Sequence, residues 1–402
     1  MERRVELLVV GGGLAGTTLA LACAAAGLEV ALVDRESPGR MRAAGFDGRT
    51  TALAYGSQQV LAGLDLWPAL AAEAEPIREI RVADQESSLF VHYHHDLVGD
   101  NPLGYIIENR VLRRVLLDRV AAVNLRHLAP MEVRGVTREP GGALAELADG
   151  SLIRASLVAA ADGKDSVLRE AAGIKAVRWS YPQLAITTTV RHAEPHRGVA
   201  VEHFLPAGPF AILPMTRGRS SIVWTERADL VPRLMALEDD AFLAELSCRF
   251  GDHLGALALD GPRWSYPVAF LHAARYVAPR LALVGEAAHV IHPIAGQGLN
   301  LGIRDVAALA ELVVDARRLG LDIGNPQSLS QYEGWRRVDA VLLAGITDGL
   351  NRLFSNRVPG VRLARDLGLA AVDRLTPVKR LFVRHAMGIA GEIPRLSRGA
   401  RL

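Results

Sequence analysis

The sequence Val5-Glu-Leu-Leu-Val-Val-Gly-Gly-Gly-Leu-Ala-Gly16 joins a short apolar run to a glycine-rich turn. The apolar run is typical of a buried strand, and the Ala- and Leu-rich residues that follow as far as Ala26 favour a helix. A second apolar strand, Glu29–Val33, then ends in Asp34. A strand, a helix and a second strand in this order form a βαβ unit, which predicts an α/β fold.

Three glycines of the turn, Gly11, Gly13 and Gly16, have the spacing of a dinucleotide-binding fingerprint. Glycine lets the backbone turn tightly and lets a pyrophosphate approach it closely, and the N-terminus of the following helix offers free N–H groups to that anion. Asp34 stands 18 residues after Gly16, where its carboxylate can accept hydrogen bonds from an adenosine ribose. The motif predicts dinucleotide binding and leaves the choice between FAD and NAD open.

The composition is that of an ordinary globular protein, with 402 residues, 50% of them hydrophobic, and a net charge of +2. Such a small charge gives no general attraction to nucleic acid. The charge is uneven, because residues 351–402 hold 11 Lys/Arg against three acidic residues. Two cysteines exclude a disulfide framework, and no apolar run reaches the roughly 18–20 residues that span a bilayer. We therefore expect a cytoplasmic protein, with peripheral association with the inner membrane left open.

Two further strand–loop junctions carry polar residues that could bind a cofactor. Asp162 and Gly163 follow the apolar strand Leu157–Ala161, and standing alone they would be an ordinary helix start with Asp162 or Ser166 as N-cap. The other junction is Leu281-Ala-Leu-Val-Gly285-Glu286, where the acid at the strand end can bind a polyol hydroxyl. The loop Pro293–Asn300 follows it and feeds a helix, whose free N–H groups suit the pyrimidine edge of a reduced flavin.

Taken together, these three elements closely resemble the flavoprotein aromatic hydroxylases with the p-hydroxybenzoate hydroxylase fold, and within them the ubiquinone-biosynthesis hydroxylase family. The resemblance covers nearly the whole chain. It extends to Arg49–Ser57, Ile107–Leu112, Gly208–Pro214, Ser221–Thr225, Thr347, Asp348, Leu353–Ser355, Arg365, Met387 and Gly388.

The resemblance implies a role for each matching residue. Arg49 would approach the flavin from the substrate side and, with Pro293 and Gly298, form the catalytic set. Asp162 would lie near a pyrophosphate groove shared with NAD(P)H. The implied cofactor-binding residues are Gly11, Gly13, Gly16, Asp34, Arg110, Asp162, Gly285, Glu286, Gly296, Gln297, Gly298, Leu299 and Asn300. Two residues depart from the family: Glu286 stands where Asp is usual, which puts its FAD contact in doubt, and Asp34 where Glu is more usual.

The mechanism that the resemblance implies is a flavin monooxygenation. NAD(P)H reduces FAD, O₂ adds to flavin C4a, and an electron-rich ring attacks the distal oxygen of the resulting hydroperoxide. A second glycine fingerprint is absent from the sequence, so we expect NAD(P)H to visit a shared groove. The implied substrate is a polyprenylated phenol, for which the apolar stretch Phe204–Trp224 could form a pocket, with Arg217 and Arg219 left in solvent.

The pattern of elements predicts an FAD-binding Rossmann-like domain of the glutathione-reductase type, interleaved with a β-sheet substrate domain and followed by C-terminal helices. Thr51–Leu64 is expected to be helical, and so is nearly everything after Gln327. The expected division is residues 1–75, 101–176 and 276–325 for FAD binding, 77–100 and 177–275 for the β-rich substrate domain, and 326–402 for the helical region.

The histidines give weaker signals. His289 and His292 flank the flavin loop, where a structural hydrogen bond is more usual than general-base catalysis. His92, His94 and His95 have a metal-like spacing but lie on an alternating strand without acidic or thiol partners, so we predict no metal.

The basic C-terminal region could dock the protein on an anionic membrane or on partners in a biosynthetic complex. Val378, Leu381, Phe382, Ala386 and Ile389 form an apolar stripe at helical spacing. A helix packed on the protein's own body explains the stripe equally well.

Other functions remain open at this stage: hydroxylation of another aromatic substrate, an FAD reductase or dehydrogenase of the same fold, and a flavin-binding subunit without catalysis. The sequence leaves undecided the ring carbon attacked, the preference for NADH, NADPH or a partner reductase, and the oligomeric state.

Overall fold

The computed structural model describes residues 2–84, 90–354 and 375–402. Arg365 and Ser355, which belong to the resemblance above, lie outside these ranges. Within them the strands form three sheets of eight, nine and three strands. This mixed α/β architecture, with helices in the C-terminal region, confirms the predicted fold class. The division into domain segments stays a prediction.

The eight-stranded sheet carries the N-terminal motif. Its strands are β1 (Glu2–Val10), β2 (Val30–Val33), β8 (Arg126–Leu128), β9 (Val133–Glu139), β10 (Gly142–Leu147), β11 (Leu152–Ala160), β18 (Val277–Ala278) and β19 (Leu281–Leu283). The central order is β18-β19-β11-β1-β2-β8, and β1 pairs in parallel with both β11 and β2. Leu7, Leu8 and Val9 are fully buried, as is usual for strands inside a parallel sheet. The carboxyl ends of β1, β11 and β19 therefore bring all three sequence motifs to one edge.

The nine-stranded sheet is mostly antiparallel. It contains β5 (Glu79–Asp84), β6 (Phe90–His94), β12 (Ala176–His192), β13 (Val199–Leu205), β14 (Gly208–Met215), β15 (Arg219–Arg227), β16 (Leu257–Leu259), β17 (Trp264–Ala273) and β20 (His289–Val290). Its order is β20-β17-β12-β15-β14-β13-β5-β6, with β16 beside β12. A small third sheet, β3 (Thr50–Ala54), β7 (Gly104–Glu108) and β4 (Glu75–Ile77), completes the strands of the described residues.

The α-helices of the described residues are α1 (Leu14–Ala25), α2 (Pro38–Ala43), α3 (Tyr55–Gly63), α4 (Trp67–Leu70), α5 (Asn109–Ala122), α6 (Val167–Ala171), α7 (Val231–Met235), α8 (Asp239–Phe250), α9 (Gln297–Arg318), α10 (Pro326–Phe354) and α11 (Thr376–Ala386). Two sequence-based expectations are wrong here. The expected helix at 51–64 begins with strand β3, whose Thr51 and Leu53 pair with β7. After Ala386 the chain is irregular apart from a short 3-10 turn at Leu396–Arg398, because Gly388, Gly391 and Gly399 adopt positive φ angles that interrupt a helix.

No helix in the described part of the chain combines the length and the apolar character needed to cross a bilayer.

Candidate active site

The glycine turn after β1 is shaped by contacts of its own backbone. A Cβ atom on Gly11, whose φ is +106°, would lie 2.2 Å from the Ala161 carbonyl oxygen, and one on Gly16 would lie 2.0 Å from the Gly11 carbonyl oxygen. Both glycines are thus required by close packing of the strand–helix junction. Gly13 differs, because a Cβ there would meet no atom within 4 Å. The open space beside Gly13, at the N-terminus of α1, fits the pyrophosphate of a dinucleotide.

Asp34 lies at the end of β2, directly against this turn. One carboxylate oxygen accepts a hydrogen bond from the Gly12 N–H, and the other accepts from the Glu36 N–H at 2.6 Å. Each oxygen keeps a further lone pair, so the carboxylate could still accept a ribose hydroxyl. Asp34 therefore also holds the turn itself in place, a role that the sequence pattern does not reveal.

The junction after β11 contains a helix cap and a buried arginine. Ser166 accepts a hydrogen bond from the Arg169 N–H at 3.0 Å and so caps α6. Asp162 accepts from the Leu168 N–H at 3.3 Å through one oxygen, while its other oxygen is buried without a hydrogen-bond partner. The side chain of Arg169 is almost fully buried and donates to the Ala287 carbonyl at 3.1 Å. This bond ties the second motif to the third.

The third motif is held by Asp305 of α9, a residue that motif analysis missed. Asp305 accepts a hydrogen bond from the Gly285 N–H at 3.0 Å, lies 2.6 Å from His289 Nε2 and accepts from Arg336 Nε at 2.8 Å. Burial alone would raise the pKa of the Asp305 carboxyl, but His289 and Arg336 outweigh it and lower that pKa. His289 is buried, and its contact with Asp305 joins the segment after Gly285 to helix α9. His292 is also buried, and burial lowers the pKa of its imidazole to about 4.

Glu286 and Arg49 are two charged residues of the site, of which Arg49 is paired with Asp47. Glu286 is exposed within a 3-10 turn that directly follows β19. Its negative charge acts on Arg49, together with Asp47, whose carboxylate accepts a hydrogen bond from Arg49 Nε at 2.8 Å. Burial opposes the charge on Arg49, but Asp47, Tyr266 and Glu286 outweigh it and raise the pKa of the guanidinium. The longer Glu286 side chain can therefore reach a ligand without a competing partner among the described residues.

The loop before α9 is fastened to the small sheet. Asn300 donates from Nδ2 to the Ala52 carbonyl at 2.7 Å, and its Oδ1 accepts from the Ala54 N–H at 2.8 Å. Both ends of the amide thus bind β3, so Asn300 serves to position the loop. Gly296 adopts a φ of +60° against Ala52, and a Cβ on Gly296 would lie 2.9 Å from Ala52 Cβ.

The remaining residues of the implied cofactor set differ in their surroundings. Gln297 is buried and lines the adjoining cavity, whereas Gly298 is exposed and a Cβ there would meet no atom within 4 Å. Leu299 packs partly against the main core. Arg110 is half exposed, forms an ion pair with Glu108, and its guanidinium lies 5.4 Å from the Phe46 ring centroid.

A cavity of about 820 Å³ opens beside this loop. Pro293, Ile294, Gly296 and Gln297 form one wall, and strands β3, β5, β13 and β14 with helices α10 and α11 provide the others. Most side chains of the lining are apolar, such as Val82, Ala211, Leu213, Leu350 and Phe354. The structure therefore places predicted catalytic Pro293 and three further residues of the loop Pro293–Asn300 against an apolar chamber.

The apolar stretch Phe204–Trp224 divides between the two faces of the nine-stranded sheet. Side chains alternate along each strand, so one set lines the cavity and the other packs under α8. The first set is Phe204, Pro209, Ala211, Leu213 and Val223. The second set is Leu205, Phe210, Ile212, Ile222 and Trp224, which form a core with Phe242, Leu246 and Phe250. About half of the predicted pocket residues are therefore structural core.

One arginine of the turn in this stretch is not in solvent as predicted. Arg217 is exposed, with a salt bridge to Glu73, but the side chain of Arg219 is only 13% exposed. Arg219 begins β15 and lies inward, where its guanidinium contacts Glu108 at 3.1 Å and Asp260 at 3.7 Å. Burial in an ion-pair cluster replaces the expected hydration.

The histidine strand also differs from expectation, because an acidic residue lies beside it. Asp96 is 3.0 Å from His94 Nδ1 and 3.2 Å from His95 Nδ1, and ligand atoms of the three residues lie within 4.8 Å of one another. His92 pairs separately with Glu79 at 2.7 Å. The expected lack of acidic partners is therefore wrong, since the chain turns back at His95–Leu97.

Helix α11 packs on the body of the protein largely through residues beside the predicted stripe; Ile389 of the stripe packs there too, and the side chain of Val378 lies outside the described residues. Val383 and Met387 are buried, whereas Leu381 and Phe382 are 63% and 43% exposed. Arg304 of α9 donates to the His385 carbonyl at 2.9 Å, and the Gly56 N–H donates to the Met387 carbonyl at 2.8 Å. Val383 and Met387, which lie between the stripe positions, are therefore buried against the protein, whereas Leu381 and Phe382 of the stripe remain at the surface.

Comparisons with known proteins agree with this geometry. Residues 4–336 match the model of the FAD binding domain family. The chain is 52% identical to the ubiquinone hydroxylase UbiL of Rhodospirillum rubrum over 405 aligned residues, covering 100% of this chain and 94% of that protein. It is 34% identical to the 3-demethoxyubiquinol 3-hydroxylase of Escherichia coli, covering 96% of this chain and 98% of that protein.

Among solved structures, the p-nitrophenol 4-monooxygenase PnpA of Pseudomonas putida superposes with a TM-score of 0.78 at 20% identity, covering 97% of this chain and all of the other. That likeness shows a shared fold. The family match confirms FAD as the cofactor, with NAD(P)H as co-substrate in line with the family. The chain belongs to the FAD-dependent aromatic monooxygenases of the ubiquinone-biosynthesis hydroxylase family.

Proposed function

We propose that this protein uses FAD, NAD(P)H and O₂ to hydroxylate the ring of a polyprenylated phenol on the route to ubiquinone. The observation that carries the proposal is the apolar cavity of about 820 Å³ that borders the loop Pro293–Gln297. A benzoate-type substrate would need a cationic anchor, and the described lining of this cavity contains no Lys or Arg. A prenyl chain needs only apolar surface, whose burial stabilises by about 25 cal/mol per Å².

The residues of the three motifs divide the work of holding the cofactor. The open space at Gly13 would admit the pyrophosphate, Asp34 the ribose, and Glu286 the polyol chain. The loop that Asn300 fastens to β3 would place its N–H groups at the edge of the flavin ring. Bound FAD would accept a hydride from NAD(P)H and activate O₂.

The cavity residues position the substrate and keep water from the reacting ring. Ile294 packs with Phe204 and Phe354, whose rings are stacked with centroids 4.0 Å apart. This apolar cluster lies directly beside the flavin loop, where stray water would waste reduced cofactor. Arg49 would contribute positive charge from the open side.

We also propose peripheral membrane association around the cavity opening. Leu353 and Phe382 line the cavity and are 36% and 43% exposed, so they stand at its entrance. Leu381 beside them is 63% exposed, and Arg380 and Arg384 are exposed on the same helix. An apolar rim with cations suits an anionic bilayer surface, from which a prenylated phenol could enter without crossing water.

The membrane proposal is tested by co-sedimentation with vesicles of phosphatidylcholine and phosphatidylglycerol. A Leu381→Ser, Phe382→Ser variant should bind much less, and added salt should weaken the wild type. Val341→Ser, at another exposed apolar position, is the control. Vesicle binding that is unchanged by the Leu381→Ser, Phe382→Ser substitutions and by salt would contradict membrane docking, and partner proteins would remain as the alternative.

The catalytic proposal is tested by supplying a short-prenyl phenol or p-hydroxybenzoate to the FAD-loaded enzyme. We expect NAD(P)H consumption coupled to a hydroxylated product with the prenylated phenol alone. Coupling with p-hydroxybenzoate and none with the prenylated phenol would contradict the substrate while leaving the flavin chemistry intact.

A further inference from the structure

An acidic side chain is buried in the apolar wall of the substrate cavity. Glu202 lies in the middle of β13, lines the cavity and is 9% exposed. The residues on either side of it in the sheet are Ala211 of β14 and Val82 of β5, both apolar. Along its own strand the side chains on the same face are Ala200 and Phe204. Glu202 is thus surrounded by hydrocarbon.

The carboxyl group of Glu202 has no hydrogen-bond or ion-pair partner among residues 2–84, 90–354 and 375–402. Burial raises the pKa of Glu202 to about 8, with no neighbouring charge contributing. An unpartnered acid in such surroundings is costly to the fold, since buried polar groups are nearly always hydrogen-bonded. The other polar side chains of the described lining are the neutral groups of Thr50, Thr225, Thr347 and Gln297, and its other ionisable groups are Tyr93 and His385.

The position of Glu202 matches the size of an aromatic ring. Phe204 packs on Ile294 of the flavin loop, and Glu202 lies two residues away on the same face, about 7 Å along the strand. A ring whose oxygen meets the Glu202 carboxyl could therefore turn a neighbouring carbon toward the loop.

We propose that Glu202 binds the oxygen substituent of the substrate ring and thereby determines which ring carbon faces the flavin. This inference rests on the proposed phenol hydroxylation. A protonated carboxyl can donate its O–H to a ring oxygen, and its carbonyl oxygen can accept the phenol O–H. Apolar contacts alone hold a prenyl chain without fixing the rotation of the ring, so Glu202 is the specificity-determining group of the cavity.

The test measures the dissociation constants of a short-prenyl phenol and of its methyl ether from the change in flavin absorbance. Wild type should bind the phenol roughly tenfold more tightly than the ether, as one buried hydrogen bond predicts. In Glu202→Leu the ratio should fall to about one, and the hydroxylated product should become a mixture of ring isomers. Glu202→Gln should retain part of the preference. The matched control is Glu226→Gln. Glu226 is a buried glutamate of β15 on the sheet face that points away from the cavity, so its substitution should leave the ratio unchanged.

Ionisation gives a second readout that packing changes would not move. The phenol-to-ether ratio of wild type should change as the pH rises through about 8, the pKa of Glu202, and the ratio of Glu202→Gln should not. A tenfold ratio preserved in Glu202→Leu, with a single product isomer, would overturn the proposal. If Glu202→Leu fails to retain FAD, the test uses Glu202→Gln: a phenol-to-ether ratio that depends on pH as in wild type would overturn the proposal. Failure of wild type to hydroxylate any prenylated phenol would contradict the proposed function itself.

Discussion

The nucleotide turn and the substrate cavity are built in different ways. The turn around Gly11, Gly13 and Gly16 is packed mainly through its backbone, and its shape is set within one stretch of 12 residues and by contacts with Asp34 and Ala161. The cavity is made by side chains from strands and helices that are far apart in the chain. Changes in the turn should therefore decide whether FAD binds at all, whereas changes in the cavity should alter selectivity and stability by degrees.

The sharpest test of the turn is Gly13→Val, for which we expect loss of FAD. Gly13 has a φ of −66°, which valine can adopt, and a Cβ there meets no protein atom within 4 Å. The fold should survive while the side chain blocks the pyrophosphate. Flavin absorbance of the purified protein measures the effect. Gly135→Val, at another glycine with open space around it, should stay yellow; full flavin content in Gly13→Val would remove the turn from the cofactor site.

The next effect in size concerns the ionic cluster that holds the third motif. Asp305→Ala should lower the free energy of unfolding by about 3 kcal/mol, because buried Arg336 keeps only Asp339 as an ion-pair partner and the Gly285 N–H and His289 lose theirs. Asp315→Ala on the same helix removes a partly exposed ion pair with Arg395, which keeps Glu311 as a partner, and should cost at most about 1 kcal/mol. Denaturant unfolding of both variants makes the comparison, and equal losses would contradict the role of Asp305.

Glu286 tests whether the longer acid still serves the cofactor. Glu286→Ala should weaken FAD binding roughly 10- to 150-fold, since a charge-assisted hydrogen bond contributes about 1.5–3 kcal/mol. Glu286→Asp, which restores the usual family residue, should keep an FAD affinity close to that of wild type. The affinity is measured by titrating apoprotein with FAD, and identical affinities of wild type and the Ala variant would exclude Glu286 from the site.

The smallest expected effect concerns the cavity. In contrast to the substitutions above, Glu202→Gln should stabilise the protein. The pKa of Glu202 is raised to about 8, so its ionisation is opposed by the fold. Below the ordinary pKa of about 4.5, Glu202 is protonated in both the folded and the unfolded state, and the stability that its proton contributes is fully present. As the pH rises toward 8, the unfolded state ionises first, and this stability is lost. Glu202→Gln should therefore raise the unfolding free energy by about 1–3 kcal/mol at pH 7 and little at pH 4. A constant difference across this range would contradict burial of the ionisable acid.

The sequence reveals the turn because its determinants are local. Val5–Val10, the three glycines and Asp34 follow one another in a fixed order within 30 residues. The sequence does not reveal the role of Asp305 or the burial of Arg219, which was expected in solvent, because their partners His289, Arg336 and Glu108 reach them through tertiary contacts. Glu202 left no clear signal, because each face of Val199–Leu205 carries one polar residue, Glu202 on one and His203 on the other. Which face lines a cavity and which packs under α8 depends on the assembled sheet.

The central claim is that a flavin site opening on an apolar chamber oxygenates a prenylated phenol. It is tested most directly by giving the FAD-loaded protein NAD(P)H, a short-prenyl phenol and ¹⁸O₂, and analysing the product by mass spectrometry. We expect a product that carries one ¹⁸O atom, in an amount that approaches the NAD(P)H consumed. A product reduced or desaturated without ¹⁸O would indicate a reductase or dehydrogenase, and NAD(P)H left unconsumed would indicate a subunit without catalysis; either result would contradict oxygenation by this protein.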